Sequence, residues 1–310
     1  MDKILIHEVG MRDGLQMEHE SVPTEKKVIW IKKLLESGVD IIQIGSFVHP
    51  KYVPQMADTD ELFRYFKQPE NRPANIILSG LVLNEKGLER GLACGVDMFC
   101  MGVSASETHS QKNTRMSIDE ALARIIEMAK MAQAEGKSIQ ASVQSAFGCG
   151  FEGIVPANNV LRIVDAYLEA GIKHISLADT AGHANPIYVE NLFSAILEKD
   201  DEIECTCHFH NTFGMAMANC FAAWRTGVVA FEASFAGLGG CPYTAVAGGN
   251  VCSEDLVHMF QQMNQRKEID IDPLISVAKE AELFFSREMP GMVYKTGAIS
   301  DQLSSDTKAN

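Results

Sequence analysis

The segment 204–211, ECTCHFHN, places two cysteines and two histidines within six positions, a density of ligating groups that suits a metal or a redox centre. Alternation decides which of them can act together. In a strand, successive side chains point to opposite faces, so Glu204, Thr206, His208 and His210 share one face and Cys205, Cys207 and Phe209 share the other. One zinc ion cannot gather both thiols and both imidazoles from a regular strand; a bulge would be needed to revive that reading. The two cysteines are therefore expected to pack as small buried hydrophobes. His208 and His210 form an H-x-H pair that could ligate a metal or simply be structural. Other strand ends supply partners. HEVGMRDGLQ (7–16) delivers Glu8, Arg12 and Asp13, LADT (177–180) delivers Asp179, and GLGGCPYTAVAGGN (237–250) carries Cys241 and Asn250 among five glycines. Taken singly, these read as a solvated Arg-Asp-Gly turn, a helix N-cap and a flexible loop. Taken together at four strand ends, they point to a site. Asp13, His208, His210 and Asn250 offer two imidazoles and two oxygen donors without a thiolate, a mixture suited to Mg²⁺ or Mn²⁺ with positions left open for substrate oxygens.

The elements that would hold these groups recur along the chain. Short apolar runs at 4–9, 40–46, 75–82, 97–104, 138–145, 174–180, 204–211 and 230–237 read as strands, with helical patterns between them. TEKKVIWIKKLLESGVD is the clearest helix, with Thr24 as its cap and Val28, Ile31, Leu34 and Leu35 as its apolar stripe. SIDEALARIIEMAKMAQAEG shows a Ser117/Glu120 capping box and ends at Gly136. Eight βα units predict an α/β fold of the TIM (β/α)8 barrel type, whose active sites lie at the C-terminal ends of the strands. A doubly wound open sheet is the alternative, but no G-x-G-x-x-G opens a helix after the first strand. The expected division is a barrel over 1–275 and extra helices over 276–310 packed on it.

A length of 310 residues and a hydrophobic content of 46% are ample for one large core. The formal net charge of −14 argues against nonspecific nucleic-acid or anionic-membrane binding, and it requires local cations for any anionic substrate. No apolar run approaches the ~18–20 residues of a membrane span. The beginning MDKILIHEVG lacks the pattern of a signal peptide. The eight cysteines form no C-x-x-C pair, so reduced thiols in a cytoplasmic enzyme are expected.

These residues carry a resemblance. EVGMRDGLQ, GSFVHPKYVPQMAD, SASETHSQKN, FGCGFEG, ISLADTAG and AGLGGCPYTAVAGGNVCSEDLV resemble, in order, the signatures of the 3-hydroxy-3-methylglutaryl-CoA (HMG-CoA) lyase family from about residue 4 to 260. That family sits within a wider set of metal-dependent barrels that make or break carbon–carbon bonds beside a carboxylate. The resemblance implies a lyase of leucine degradation that cleaves an acyl-CoA to acetyl-CoA and a keto acid by retro-Claisen chemistry. By position it implies Asp13, His208, His210 and Asn250 as metal ligands and Arg12 as the cation that meets the enolate oxygen. It implies Cys241 as a loop residue for proton transfer or loop closure, and Glu8 and Asp179 as acids important to the site. The base could be Asp13, His208 or a bound water. Lys51, Lys112 and Arg115, in loops after the second and fourth strands, are candidates for the CoA phosphates, or ordinary surface charges. A homo-oligomer is expected.

Several positions depart from the family pattern. Gln43 stands where the lyases have an acid; alternation puts it on one face with Ile41 and Gly45. An amide there removes a negative charge beside a metal and an arginine. Asn211 stands in place of a common Asp, and Met11, His19 and His49 also differ. The expectation is a conserved reaction on HMG-CoA or on a related thioester of the citramalyl-CoA or 3-alkylglutaryl-CoA type. Weaker alternatives are a Claisen-type synthase, a non-catalytic acyl-CoA-binding barrel and a structural zinc protein.

Overall fold

The computed structural model describes residues 3–240 and 248–299, so Cys241 lies outside the described residues. Eight parallel strands close into a barrel in sequence order. They are β1 (Leu5–Glu8), β2 (Ile41–Ser46), β3 (Ile77–Leu81), β4 (Met98–Ser104), β5 (Ser138–Gln144), β6 (His174–Asp179), β7 (Glu204–Phe209) and β8 (Ala230–Ala233). Outside run α1 (Thr24–Ser37), α2 (Thr59–Lys67), α3 (Glu85–Cys94), α4 (Glu107–Thr114), α5 (Ile118–Ala134), α6 (Ala157–Glu169), α7 (Pro186–Leu197), α8 (Ala216–Thr226), α9 (Ser253–Gln262), α10 (Ile271–Phe285) and α11 (Val293–Thr296). This is the expected TIM barrel. None of the described helices is long and apolar enough to cross a membrane.

The apolar core lies between strands and helices. Phe147, Phe193 and Phe209 pack together there, as do Phe231 and Phe260. The capping box at Ser117 and Glu120 is present, and Gly136 takes φ 69° just beyond α5. Thr24 is not the cap of α1: Pro23 holds that position, and the Thr24 hydroxyl donates instead to Asp58 Oδ2 at 3.0 Å. The buried stripe of α1 is also shifted, to Lys27, Trp30, Ile31, Leu34 and Ser37, with Val28 and Leu35 half-buried. Lys27 is tolerated inside because its ammonium donates at 2.6 Å to both Gln55 O and Asp58 Oδ1. α10 packs on α1, with Trp30 and Lys33 both donating to Glu280. The expected boundary at 275 falls within this helix.

Three strand ends differ from simple alternation. β8 stops at Ala233 rather than 237, and Phe235–Gly237 forms a 3-10 turn. The reason is hydrogen bonding: the Phe235 and Ala236 amides donate to the carboxylates of Glu8 (3.1 Å) and Glu254 (3.1 Å), not to a neighbouring strand. In β2 a bulge lies between Gln43 and Gly45. It leaves Gln43 facing inward but turns Gly45 outward, where an added Cβ would lie 2.4 Å from Thr59 Oγ1 of α2. The expected shared face of Gln43 and Gly45 is therefore overturned. The ladder of β7 ends at Phe209, and His210 instead forms an antiparallel bridge with Asn250.

Candidate active site

The site forms where β1, β7 and the segment after β8 converge. After β1 the chain enters a π-helical turn, Gly10–Gly14, in which the Arg12, Asp13 and Gly14 amides all turn back to Val9 O. An added Cβ at Gly10 would lie 2.5 Å from Phe235 Cδ1 and 2.6 Å from Glu8 Oε1, so only glycine fits there. The turn presents Arg12 and Asp13 side by side over the barrel end. Arg12 Nη1 donates to Asp13 Oδ1, and Arg12 Nε donates to Gln43 Oε1. The bridge between His210 and Asn250 supplies the other side, closed by Asn211 N donating to Gly249 O at 2.7 Å.

Among the described residues, Asp13, His208 and His210 are the group whose ligating atoms lie close enough to share one metal ion, all within 4.8 Å of one another and all buried. His208 Nε2 and His210 Nε2 are 3.0 Å apart, and they lie 3.8 Å and 3.7 Å from Asp13 Oδ2. The partners of the opposite ring nitrogens set the tautomers. His210 Nδ1 is 3.0 Å from the Thr180 carbonyl, which can only accept, so Nδ1 carries the hydrogen. His208 Nδ1 is 2.7 Å from the Glu232 carboxylate and does the same. Both Nε2 lone pairs then face each other and a carboxylate, an arrangement that demands a positive charge between them. Asn250 adds to the demand. Its Nδ2 donates to Asp13 Oδ2 (2.8 Å) and Leu238 O (3.0 Å), which leaves Oδ1 buried with no partner among the described residues. The donor set thus fits a divalent cation. Gly239, at φ 107°, makes room for the Asn250 amide: a Cβ there would meet Asn250 Nδ2 at 2.5 Å.

The electrostatics agree. Burial opposes ionisation of Asp13, but the Arg12 guanidinium and the two imidazoles reverse this and hold the carboxyl well below the usual range. Burial likewise opposes ionisation of Glu232, and its contact with His208 brings it down to about 2. For His208, burial lowers the pKa and Glu232 and Asp13 more than restore it, so the net shift is upward.

The remaining expected residues fall into two groups. Glu8 and Asp179 support the site from behind. The Glu8 carboxylate accepts from Gly10 N (2.6 Å), Phe235 N (3.1 Å) and Ser253 Oγ, tying the Arg12 turn to the segment after β8. Asp179 accepts from His183 N (2.8 Å) and Ala184 N (3.0 Å), which fixes the turn containing the Thr180 carbonyl that holds His210. Lys51, Lys112 and Arg115 are exposed on segments after β2 and β4; Lys112 Nζ lies 4.0 Å from the Phe151 ring centre. Asn211 Oδ1 accepts from Ala216 N at 3.1 Å, at the start of α8. The cysteines of the opening segment are buried away from the imidazoles. Burial pushes Cys205 up to about 12 and Cys207 well above the usual thiol value, and the free thiols of Cys207 and Cys220 of α8 are hydrogen-bonded. Sequence reasoning passed over Glu232, His7 and Gln140, which face the barrel interior beside the candidate ligands. The signal was a charged or polar residue at an inward position of an otherwise apolar strand.

Comparisons with known proteins place the chain in a family. Residues 3–280 match the HMGL-like family model. The chain is 38% identical over 288 residues to the hydroxymethylglutaryl-CoA lyase of Bacillus subtilis, covering 93% of this chain and 95% of that one. It is 34% identical over 311 residues to the (R)-citramalyl-CoA lyase of Chloroflexus aurantiacus, covering 98% of both chains. Its structure matches that of an HMG-CoA lyase from Acinetobacter baumannii, determined in complex with coenzyme A and 3-methylmalate, with a TM-score of 0.89, 36% identity and 96% coverage of each chain.

Proposed function

This chain belongs to the HMGL-like family and is a carbon–carbon lyase, and we propose that it cleaves the C2–C3 bond of HMG-CoA, or of a close 3-hydroxyacyl-CoA analogue, to acetyl-CoA and a keto acid such as acetoacetate. The observation that carries this reading is the convergence of Asp13, His208 and His210 on one point, with the Arg12 guanidinium hydrogen-bonded to that same aspartate. Asp13, His208, His210 and Asn250 would hold Mg²⁺ or Mn²⁺. The bound ion would act as a Lewis acid toward the oxygens of the substrate's hydroxyl and carboxylate arm.

The chain's own residues account for the rest. A base at this cluster takes the 3-hydroxyl proton. His208 turns Nε2 to the cation site and gives its Nδ1 hydrogen to Glu232, so it has no lone pair left for that task, which favours Asp13 or a bound water. As the C2–C3 bond breaks, negative charge develops on the thioester oxygen. Arg12, fixed by Gln43 and Asp13, is the cation placed to meet it, and such fixed charge favours the transition state over the ground state. Cys241, on the glycine-rich loop, is the candidate to protonate the enolate carbon or to order the loop. Glu8 and Asp179 position the ligands. Lys51, Lys112 and Arg115 are candidates for the CoA phosphates. A homo-oligomer working in the cytoplasm, in leucine degradation, completes the proposal.

A second reading, a citramalyl-CoA or 3-alkylglutaryl-CoA lyase, is favoured by one feature. Arg12 Nε meets a neutral amide at Gln43, in the inner position where the lyase signature has an acid. The whole-length similarity to a citramalyl-CoA lyase supports it. Both readings are tested by one panel of thioesters, HMG-CoA and citramalyl-CoA included, assayed with Mg²⁺ or Mn²⁺ for acetyl-CoA and keto acid. Preference for HMG-CoA is the expected result. Exclusive turnover of another member would establish the second reading, and silence across the panel would overturn both.

A further inference from the structure

Below the three ligands the barrel interior contains a second carboxylate, Glu232, midway along β8 and only 6% exposed. A buried carboxylate is costly unless each oxygen is paired, and here each is. Oε2 takes the His208 Nδ1 hydrogen at 2.7 Å. Oε1 accepts from Gln140 Nε2 of β5 and faces His7 Nδ1 of β1 at 3.5 Å. His7 is held in turn, its Nε2 2.8 Å from Ser79 Oγ of β3. The pairing of His208 with Glu232 across the β7–β8 ladder fixes their relative height. Both carboxylate oxygens are thus directed at protein groups. Neither Gln140 nor His7 touches Asp13 or His210 in any hydrogen bond among the described residues.

We infer that Glu232 is the positioning residue of the metal site: clamped from β5 and β1, it orients the His208 ring so that Nε2 faces Asp13 and His210. The inference rests on reading Asp13, His208 and His210 as a divalent-metal site. An imidazole on a strand end has two ring flips and two tautomers. The Glu232 carboxylate selects one of each, because only an Nδ1–H directed at it satisfies both groups. It also makes Nε2 a better donor, since a carboxylate partner increases the electron density of the ring. Gln140 and His7 contribute by keeping the carboxylate from turning toward the cation itself, which would change the ligand set.

The test is direct Mn²⁺ binding to the full chain, read from the electron paramagnetic resonance of free Mn²⁺. It compares wild type, Glu232→Gln, Glu232→Ala, His208→Ala, the His208→Ala/Glu232→Ala double variant and Asp13→Ala. Glu232→Ala is expected to weaken binding roughly 10–100-fold. Glu232→Gln, whose amide oxygen still accepts from Nδ1, is expected to recover part of that loss. Removing Glu232 in the His208→Ala background is expected to cost nothing more, since Glu232 acts through His208. Thermal unfolding identifies any variant that does not fold, and the Gln variant keeps the test alive if the Ala variant is one. Equal affinity in wild type and Glu232→Ala, or full additivity in the double variant, would overturn the inference while leaving the metal reading in place. Wild-type protein that binds no Mn²⁺, or binding that survives Asp13→Ala, would overturn the metal reading and this inference with it.

Discussion

Arg12 and Asp13 are neighbours in sequence with opposite charges and different tasks, and the π-helical turn lets both face one point. In the proposed mechanism Asp13 serves as an anion at the cation site, and Arg12 meets the anionic charge that would develop during bond cleavage. Their mutual hydrogen bond serves both, holding the aspartate ionised and the guanidinium in place. Arg12→Gln keeps hydrogen-bonding capacity and removes the charge. It is expected to lower kcat by about 10²–10³-fold, the scale of losing one preorganised charge-stabilising group. KM should change far less, because the lost interaction belongs to the transition state; steady-state kinetics on the preferred thioester checks this. A KM effect without a kcat effect would instead make Arg12 a substrate-binding residue. At this scale the sequence was informative for the candidate ligands and weak for the residues that support them. H-x-H spacing and the Arg-Asp pair stand out, and alternation correctly separated His208 from Cys207. Glu232, His7 and Gln140 were missed because each is a single polar residue inside an apolar run, and its partner lies on a strand more than 20 positions away.

At the scale of elements, the segment after β8 is fastened by two buried carboxyl groups. Glu8 of β1 and Glu254 of α9 accept from consecutive amides, Phe235 and Ala236, and so end the strand and launch the glycine-rich loop. Burial raises Glu8 to about 7 and Glu254 to about 8. Both groups retain protons in the folded chain that the unfolded chain has released. Their stabilisation is complete below the ordinary glutamate range and is lost as pH rises through the folded values. His7, lowered by burial to about 4, acts in the opposite sense below its ordinary value of 6.5. The clear window is therefore about pH 6.5 to 8, where metal-free protein should lose stability as pH rises, by roughly 1.4 kcal/mol per pH unit for each group still protonated. Urea unfolding at a series of pH values measures this, and Glu254→Gln should flatten the slope. A flat or rising profile would show that these carboxyls are ionised in the fold. The sequence extended β8 to 237 because AFEASFAG is mostly apolar; it could not show that distant carboxylates would take the amides that a longer strand requires. The β2 bulge escaped for a similar reason: Gly45 faces outward against Thr59 because α2 approaches closely there, a contact 14 residues away.

At the scale of the whole molecule, the barrel converts eight sequence-distant strand ends into one rim, and this is why the fold was legible from periodicity alone. Eight apolar runs at regular spacing with amphipathic helices between them leave few alternatives, and the boundaries were recovered to within a few residues. The ring of helices is closed by α10 against α1, through Trp30, Lys33 and Glu280, a pairing 250 residues apart that no local pattern announces. With a formal net charge of −14 on the chain, the proposed cation within the rim would be the natural attractor for an anionic thioester.

The most direct test of this account is turnover of HMG-CoA by chelator-treated protein during titration with Mn²⁺, run alongside His210→Ala. Activity is expected to be lost on chelation and to return in proportion to metal bound, saturating near one ion per chain, and His210→Ala is expected neither to retain the ion nor to recover. Full activity after verified removal of the metal, or unimpaired turnover by His210→Ala, would contradict it.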